Sequence, residues 1–372
     1  MASPRTKPPF RAEHVGSFPR PERLMQARQS HAAGALDLAG LRVVEDDCIA
    51  EIVALQERVG IGATTDGEFR RFSWRDRPFE SIDGFSSERK DADFIFTLFD
   101  GSKRRAGAIP DVVAKLRLRE PMAAEHFELF KPMTRGLPKA NLPTPSVTHF
   151  FRGDAMLDKS VYPDRHEYFA DVTRIYREEV ADLGRRGCTY LQMDEVPVAL
   201  LCDPTNQEIV RARREDPDEL IDLYIDAIND CVRERPAGMT VCVHMCRGNM
   251  GHGMADAGYD KIADRMFNGL DVDGFFLEYD TPRAGDFTPL RFLPKGKIAL
   301  LGLVTTKKPE LEPADELRAR IDEAAKIVDL DQLALCPQCG FSSNAGTGVL
   351  TYDEVEAKLA RIVETADRIW DS

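Results

Sequence analysis

Eight short β-type runs, each ending in polar or small residues and each followed by a helix-like stretch, set the possible architectures of this chain. They are AEHVGS (12–17), IGATTDGE (61–68), LPTPSVTHF (142–150), CTYLQMDE (188–195), MTVCVHMC (239–246), DGFFLEYD (273–280), KIALLGLV (297–304) and DQLALC (331–336). Between them lie helical patterns at 43–60, 168–187 and 314–328, and a closing amphipathic helix is predicted over 351–370. In the third of these, Leu317, Ile321, Ala324 and Val328 share one helical face. Gly60 and Gly187 stand where a helix would end in a left-handed cap. Near-continuous apolar strands alternating with helices imply a parallel sheet covered on its faces. Eight such units predict an α/β fold of the closed (β/α)8 TIM-barrel type. An open doubly wound sheet is the alternative, but no G-x-G-x-x-G follows an early strand.

The second and third runs are separated by about seventy residues, far more than one βα unit needs. Residues 69–141 are therefore expected to be an insertion, a lid or an interface element, within a single domain spanning 1–372. The segment carries Arg70, Arg71, Arg75, Lys103, Arg104 and Arg105, cations that could hold an anionic donor, form a solvated face or make a contact in a homo-oligomer. Elsewhere the chain is acidic: 63 Asp and Glu against 50 Lys and Arg give a net charge of -13. A phosphate backbone or an anionic lipid surface would be repelled, so neither nucleic acid nor membrane is the expected partner. No apolar h-region opens the chain and no run approaches the ~20 apolar residues of a membrane span, so a cytoplasmic location is expected. Eight cysteines in 372 residues are too sparse for a disulfide scaffold and would be thiols there.

Barrel chemistry sits at the C-terminal ends of the strands. The run ends carry His14, Gly16 and Ser17; Asp66 and Glu68; Asp194 and Glu195; His244 and Cys246; Glu278 and Asp280; Cys336 and Cys339. Strands that served only packing would not repeatedly end in carboxylates and thiols. His244 and Cys246 are two apart on an extended segment, so they face the same way and could share a zinc ion. Glu278 and Cys339 could complete an N/S/O/S set suited to that borderline-soft metal. Packing is the commoner role of a lone H-x-C. C-P-Q-C could equally be half a zinc ribbon or a redox pair, although no second C-x-x-C exists for a ribbon. Cys336 is a substitute for Cys339 in the ligand set. Asp194 and Glu195, adjacent on a strand, should point to opposite faces and not form a coupled dyad.

Taken in order, H-V-G-S-F-P-R-P (14–21), T-D-G-E-F-R-R (65–71), Q-M-D-E (192–195), H-M-C-R-G-N (244–249), F-L-E-Y-D (276–280) and C-P-Q-C-G (336–340) resemble the catalytic half of cobalamin-independent methionine synthase. The likeness runs over roughly 11–366 and is greatest to the short, single-barrel bacterial members. It implies a zinc-bearing barrel that alkylates a thiol, with His244, Cys246, Glu278 and Cys339 as the metal ligands. It further implies that the Gly16–Ser17 turn holds the carboxylate of homocysteine and that Glu68 and Asp194 grip its amino group. The implied reaction moves a methyl group from 5-methyltetrahydrofolate or another donor to homocysteine, forming methionine.

Three features depart from the folate-dependent pattern. Those enzymes carry a second, N-terminal half with no counterpart in this sequence. Where they place a histidine after the seventh strand to protonate the leaving pterin, this chain has Thr306 and Lys307. No aromatic platform stands at 145–148, although Phe150 and Phe151 follow. H-M-C-R-G-N is also similar to epoxyalkane:coenzyme M transferase, which would make Arg247 a partner for a sulfonate or carboxylate on the thiol. A zinc-free enzyme resembling uroporphyrinogen decarboxylase is a further alternative on the same barrel.

Overall fold

Six strands, Ala140–Pro143, Tyr190–Glu195, Thr240–Met245, Gly274–Glu278, Ile298–Val304 and Leu333–Pro337, pair in parallel and in sequence order in the computed structural model. The structure describes residues 5–98, 102–249, 252–253 and 255–370. At one end of this sheet Leu137–Pro138, which leads through Lys139 into Ala140–Pro143, pairs with Ala63–Thr64. At the other end Ala12 bridges Leu335, with Glu13 N donating to Leu335 O at 3.0 Å and Leu335 N to Arg11 O at 2.8 Å. The remaining seam, between the first run and Ala63–Thr64, is spanned by His14 Nε2 to Ala63 O at 3.0 Å and Thr65 Oγ1 to Gly16 O at 2.6 Å. Phe18 N adds a bond to Gly67 O at 3.1 Å. Eight segments thus follow one another around a ring, as the alternation of runs predicts.

Strand composition explains the layering. Every residue of Ile298–Val304 is buried, because the inner face fills the barrel and the outer face meets helices. Tyr190, Cys242, Phe276, Leu300, Ala334 and Cys336 belong to the inner cluster. Outside, Leu38–Arg58, Arg165–Arg185, Pro217–Val232, Ala314–Ala324 and Tyr352–Trp370 cover the sheet. Asp164 caps the second of these by accepting from His166 N and Glu167 N, satisfying two of the four N–H groups that a helix start leaves unpaired. Gly60 and Gly187 adopt φ of 81° and 86°, the left-handed conformation a helix-ending glycine supplies at little cost.

Two runs differ from expectation. The third strand lies earlier than 142–150: it ends at Pro143, and Val147–Phe150 is a helical turn. Pro143 and Pro145 cannot donate to a ladder, so the parallel pairing stops there. The first run, 12–17, pairs only through the single bridge at Ala12.

The inserted segment has its own order. A helix at Arg77–Ser81 leads into an antiparallel pair, Ile82–Lys90 with Ile109–Leu118. Ile95–Leu98 lies between Lys103–Arg105 and His252–Gly253 in a second small sheet. The loop that follows Thr240–Met245 therefore supplies a strand to the insertion. Among the described residues no helix is long and apolar enough to cross a membrane.

Candidate metal and substrate site

The mouth of the barrel gathers three soft donors. His244 lies one residue inside the end of its strand, Cys246 one residue past it, and Cys339 two residues beyond Leu333–Pro337. One ligand atom from each falls within 4.8 Å of the others, and all three residues are buried. The loop carrying Cys339 reaches them by close packing: a Cβ on Gly340 would stand 1.9 Å from Ser17 Oγ, so no side chain fits there. The Cys246 and Cys339 sulfurs are 3.6 Å apart. Two thiolates on a tetrahedral zinc with bonds of about 2.3 Å would be ~3.8 Å apart, so this spacing suits the metal. His244 Nε2 is buried with no hydrogen-bond partner, which is the state a metal-facing ring nitrogen would have before binding. The donor set therefore fits zinc.

Electrostatics at the cluster favour one thiolate. The hydrogen bond from Cys339 pulls the Cys246 thiol down, against burial and with help from the His244 ring, whereas Cys339 is pushed up. Burial works against protonating His244, but the hydrogen bond to Asp194 and the charge on Cys246 outweigh it and raise the ring's pKa.

Glu278 stands apart from this trio. Its Oε2 accepts from Arg247 N at 3.1 Å, and its Oε1 is paired with Arg283 and with Lys307 Nζ at 3.4 Å. Burial would raise its pKa, but Lys307, Arg247 and Arg283 together hold it low. Arg247, read from the sequence as a partner for the substrate's acid group, turns elsewhere. Its guanidinium binds Ala257 O, reaches Glu278 O at 3.3 Å and lies 4.4 Å from the Tyr259 ring centre. It is wholly buried and does not line the cavity, so the sulfonate-binding role loses its anchor. Cys336 also stands outside the cluster, in the inner layer of the barrel, where burial, with the charge of Glu13, pushes its thiol pKa well up.

Above the trio opens a cavity of about 540 Å³. Ser17, Glu68 and Asp194 line it beside His244, Cys246 and Cys339, a volume and lining suited to a small-molecule site. Gly16 adopts φ of 125°, and a Cβ there would meet the Asn141 side chain at 2.8 Å, so the turn before Ser17 requires glycine. Glu68 holds φ of 62°, rare for a residue with a side chain, and a strained backbone of this kind needs support from its surroundings. Arg20 and Arg71 ion-pair with its carboxylate at 3.9 and 3.8 Å without hydrogen bonding to it, and Oε2 is left buried with no hydrogen-bond partner. Burial pushes the Glu68 pKa up to about 7, with Arg71 opposing and the charge of Asp194 adding to the rise.

Asp194 directs Oδ1 to Gln192 Nε2 at 2.7 Å and to His244 Nδ1 at 3.3 Å. Glu195 points the other way, to the hydroxyls of Thr144 and Ser146 and to Val198 N at 2.6 Å. Burial pushes Glu195 up to about 7. The two neighbouring carboxyls therefore belong to different environments.

On the opposite wall, sequence patterning picks out the cations Arg75 and Arg104 and notes Phe151, but not Trp74 or Phe96. Trp74, Arg75, Phe96, Arg104 and Phe151 line the cavity from the insertion and the third βα loop. Arg75 lies 5.1 Å from the Phe151 ring centre. Trp74 is placed by its backbone N–H, which donates to Ser343 O at 3.0 Å, and Asn249 ties the loops together through Gly340 O at 2.9 Å and Ser343 Oγ at 2.8 Å. The available signals were that only two tryptophans occur in the chain and that Asn249 closes the H-M-C-R-G-N motif. Lys307, at the position of the expected histidine, is ion-paired with Glu278 and with Asp280 at 3.2 Å.

Known proteins share both sequence and fold with this chain. The uncharacterized protein YxjH of Bacillus subtilis is 38% identical over 370 residues, covering 98% of this chain and 96% of its own. A protein of Pyrococcus abyssi named methionine synthase is 25% identical over 332 residues, covering 88% and 85% respectively. The crystal structure of a putative vitamin-B12 independent methionine synthase from Listeria monocytogenes superposes with a TM-score of 0.74 at 28% identity, covering 98% of this chain and 99% of that one. The sequence pattern of the cobalamin-independent synthase catalytic domain matches residues 10–368, nearly the whole barrel just described, and on that match the chain belongs to the cobalamin-independent methionine synthase family.

Proposed function

We propose that this protein is a zinc-dependent thiol methyltransferase that converts homocysteine to methionine. One observation carries the reading: His244, Cys246 and Cys339 bring a nitrogen and two sulfurs within 4.8 Å of one another at the floor of a cavity that also holds two carboxylates. Those three residues would hold the ion, with Glu278 as a fourth ligand once it leaves its ion pairs with Arg283 and Lys307. Bound zinc would supply Lewis acidity, lowering the pKa of a coordinated thiol so that the thiolate is present at neutral pH.

The chain's own residues bind and orient the substrates. Glu68 Oε2 and the outer oxygen of Asp194 receive the amino group of homocysteine, and the glycine turn before Ser17 receives its carboxylate through backbone donors. Trp74, Phe96 and Phe151 give the methyl donor an apolar, water-excluding wall, and Arg75 and Arg104 suit a donor with anionic groups. With 5-methyltetrahydrofolate the new bond joins sulfur to the methyl carbon as the carbon–nitrogen bond breaks. The electron pair then stays on the donor nitrogen, which takes up a proton. The family relationship and the aromatic wall favour a folate-type donor. Lys307 is held in ion pairs with Glu278 and Asp280, which keeps its proton from the donor and favours a more reactive one.

Purified protein reconstituted with zinc should form methionine from homocysteine in separate reactions with 5-methyltetrahydrofolate or a sulfonium donor. Methionine from neither donor, with turnover of an epoxide by a thiol instead, would replace this reading with the epoxide-opening one.

A further inference from the structure

Beneath the cavity floor a buried polar chain runs from the interior of the barrel to His244. Lys139, in the link between Leu137–Pro138 and Ala140–Pro143, is 2% exposed. Its ammonium reaches Glu13 Oε2 at 3.4 Å, the backbone oxygen of His14, and Gln192 Oε1 at 3.2 Å. Tyr190 donates to the other oxygen of Glu13 at 2.9 Å. On its far side Gln192 presents Nε2 to Val15 O and to Asp194 Oδ1, both at 2.7 Å. Asp194 Oδ1 in turn meets His244 Nδ1 at 3.3 Å.

The direction of this chain follows from the donor inventory. An ammonium can only donate, so the Gln192 atom that faces Lys139 must be the carbonyl oxygen. The amide nitrogen then faces Asp194, which removes the usual ambiguity over which way a glutamine amide points. Because Nε2 donates, Asp194 Oδ1 must accept, and the same oxygen takes the proton on His244 Nδ1. A neutral ring with its proton on Nδ1 leaves the lone pair on Nε2, the nitrogen that is buried without a hydrogen-bond partner on a residue clustered with the two thiols.

We propose that Lys139 and Gln192 are positioning residues: through Asp194 they fix the tautomer and orientation of His244 that the metal requires. The inference rests on the zinc reading for its purpose, but not for its geometry. It also assigns the two oxygens of Asp194 separate tasks, Oδ1 to the histidine and the other to the substrate amine.

The test uses full-length protein labelled with 15N-histidine, without metal, at a pH where the rings are neutral. His244 signals are assigned by their loss in His244→Gln. Wild type should show His244 with its proton on Nδ1. Gln192→Glu keeps the shape but sets a second acceptor against Asp194. Lys139→Met with Glu13→Gln removes the buried ion pair without leaving a lone charge. Both variants should show mixed tautomers, and their zinc affinity, measured by chelator competition, should fall roughly 10- to 100-fold, the range for outer partners of metal ligands. Unchanged melting temperature keeps the comparison clean, and restoration of Gln at 192 should restore both readouts. Variants that retain the Nδ1–H tautomer and bind zinc within about twofold of wild type, where outer-partner effects of 10- to 100-fold are expected, overturn the proposal. A fixed tautomer in wild type, lost in the variants, in a protein that does not bind zinc upholds the relay and overturns the metal reading instead.

Discussion

On the barrel side of the cavity, His244, Cys246, Cys339, Glu68 and Asp194 are each at most 8% exposed, whereas Phe72 on the facing insertion is 60% exposed and Arg89, Arg104 and Arg105 reach solvent. The first wall stands on strand ends and on a hydrogen-bonded interior in which each displaced polar group would carry a desolvation cost of about 1–3 kcal/mol. That cost fixes one geometry. The second wall stands largely on small antiparallel sheets outside the barrel; Phe96 and Phe151 are buried there, but solvent and salt screen Arg89, Arg104 and Arg105, whose side chains can adjust. The family's thiol chemistry thus belongs to the rigid wall. On the proposed reading, the alkyl donor meets the second wall, and its identity can vary there without disturbing the first.

The comparison is tested most sharply at the metal ligands. Cys246→Ser and Cys339→Ser should each abolish stoichiometric zinc, with metal affinity falling by more than the ~10- to 100-fold expected for outer partners. Elemental analysis after gel filtration checks this. A Cys246→Ser protein that keeps one zinc per chain would break the assignment of the rigid wall to metal binding.

Next in size is the substrate amine. Glu68→Gln should raise KM for homocysteine roughly 10- to 100-fold, the value of one charge-assisted hydrogen bond, with little change in kcat. Asp194→Asn should lower kcat as well, because its Oδ1 also accepts from His244. A fall in kcat at unchanged KM for Glu68→Gln would make that residue an acid or base instead. The same residue predicts a pH dependence. Burial raises the Glu68 pKa to about 7, so its ionised, amine-binding form is lost as the pH falls through that value. KM for homocysteine should therefore climb on the acid side of neutrality in wild type, and Glu68→Gln should remove that inflection.

The rigid wall was legible in sequence because strand ends impose a rule. His244 and Cys246 share a face through the two-residue period, and Asp194 and Glu195 part for the same reason. The ring of eight segments was likewise written in the alternation of apolar runs with helical ones. Distances across the barrel were not legible. Nothing local in F-L-E-Y-D shows that Arg283 and Lys307 would draw Glu278 from the thiols, or that Arg247 would turn toward Tyr259. The run 142–150 overshoots the observed strand because Val147 and Phe150 carry strand-like side chains, while Pro143 and Pro145 decide the backbone. The insertion was legible as extra length and charge, but its sheets depend on pairings such as Ile95–Leu98 with His252–Gly253, more than 150 residues away in sequence.

A smaller effect is expected on the adjustable wall. Trp74→Ala should raise KM for the methyl donor about 2- to 10-fold, the range for losing an aromatic contact worth 0.5–1.5 kcal/mol, and leave homocysteine binding unchanged. Donor should also protect residues 69–141 from limited proteolysis if that segment closes on it. Protection that follows protein concentration alone would make the segment an interface between copies. Equal effects of Trp74→Ala on donor and thiol would erase the division between the walls.

The least effect on chemistry is expected three residues from a ligand. Cys336 and Cys339 belong to one C-P-Q-C motif, yet Cys339 faces Cys246 while Cys336 lies 0% exposed among Tyr190, Cys242, Phe276 and Ala334. Cys336→Ser should therefore leave zinc stoichiometry and homocysteine KM unchanged. It should lower stability by up to about 1–3 kcal/mol, because the hydroxyl is buried in a layer whose polar groups, Glu13, Lys139 and Tyr190, already bond to one another. Denaturant titration beside zinc analysis separates the two readouts. Loss of zinc at full stability would mean that Cys336 reaches the ion, and then the boundary between the packed barrel interior and the metal site would have to be drawn one layer deeper.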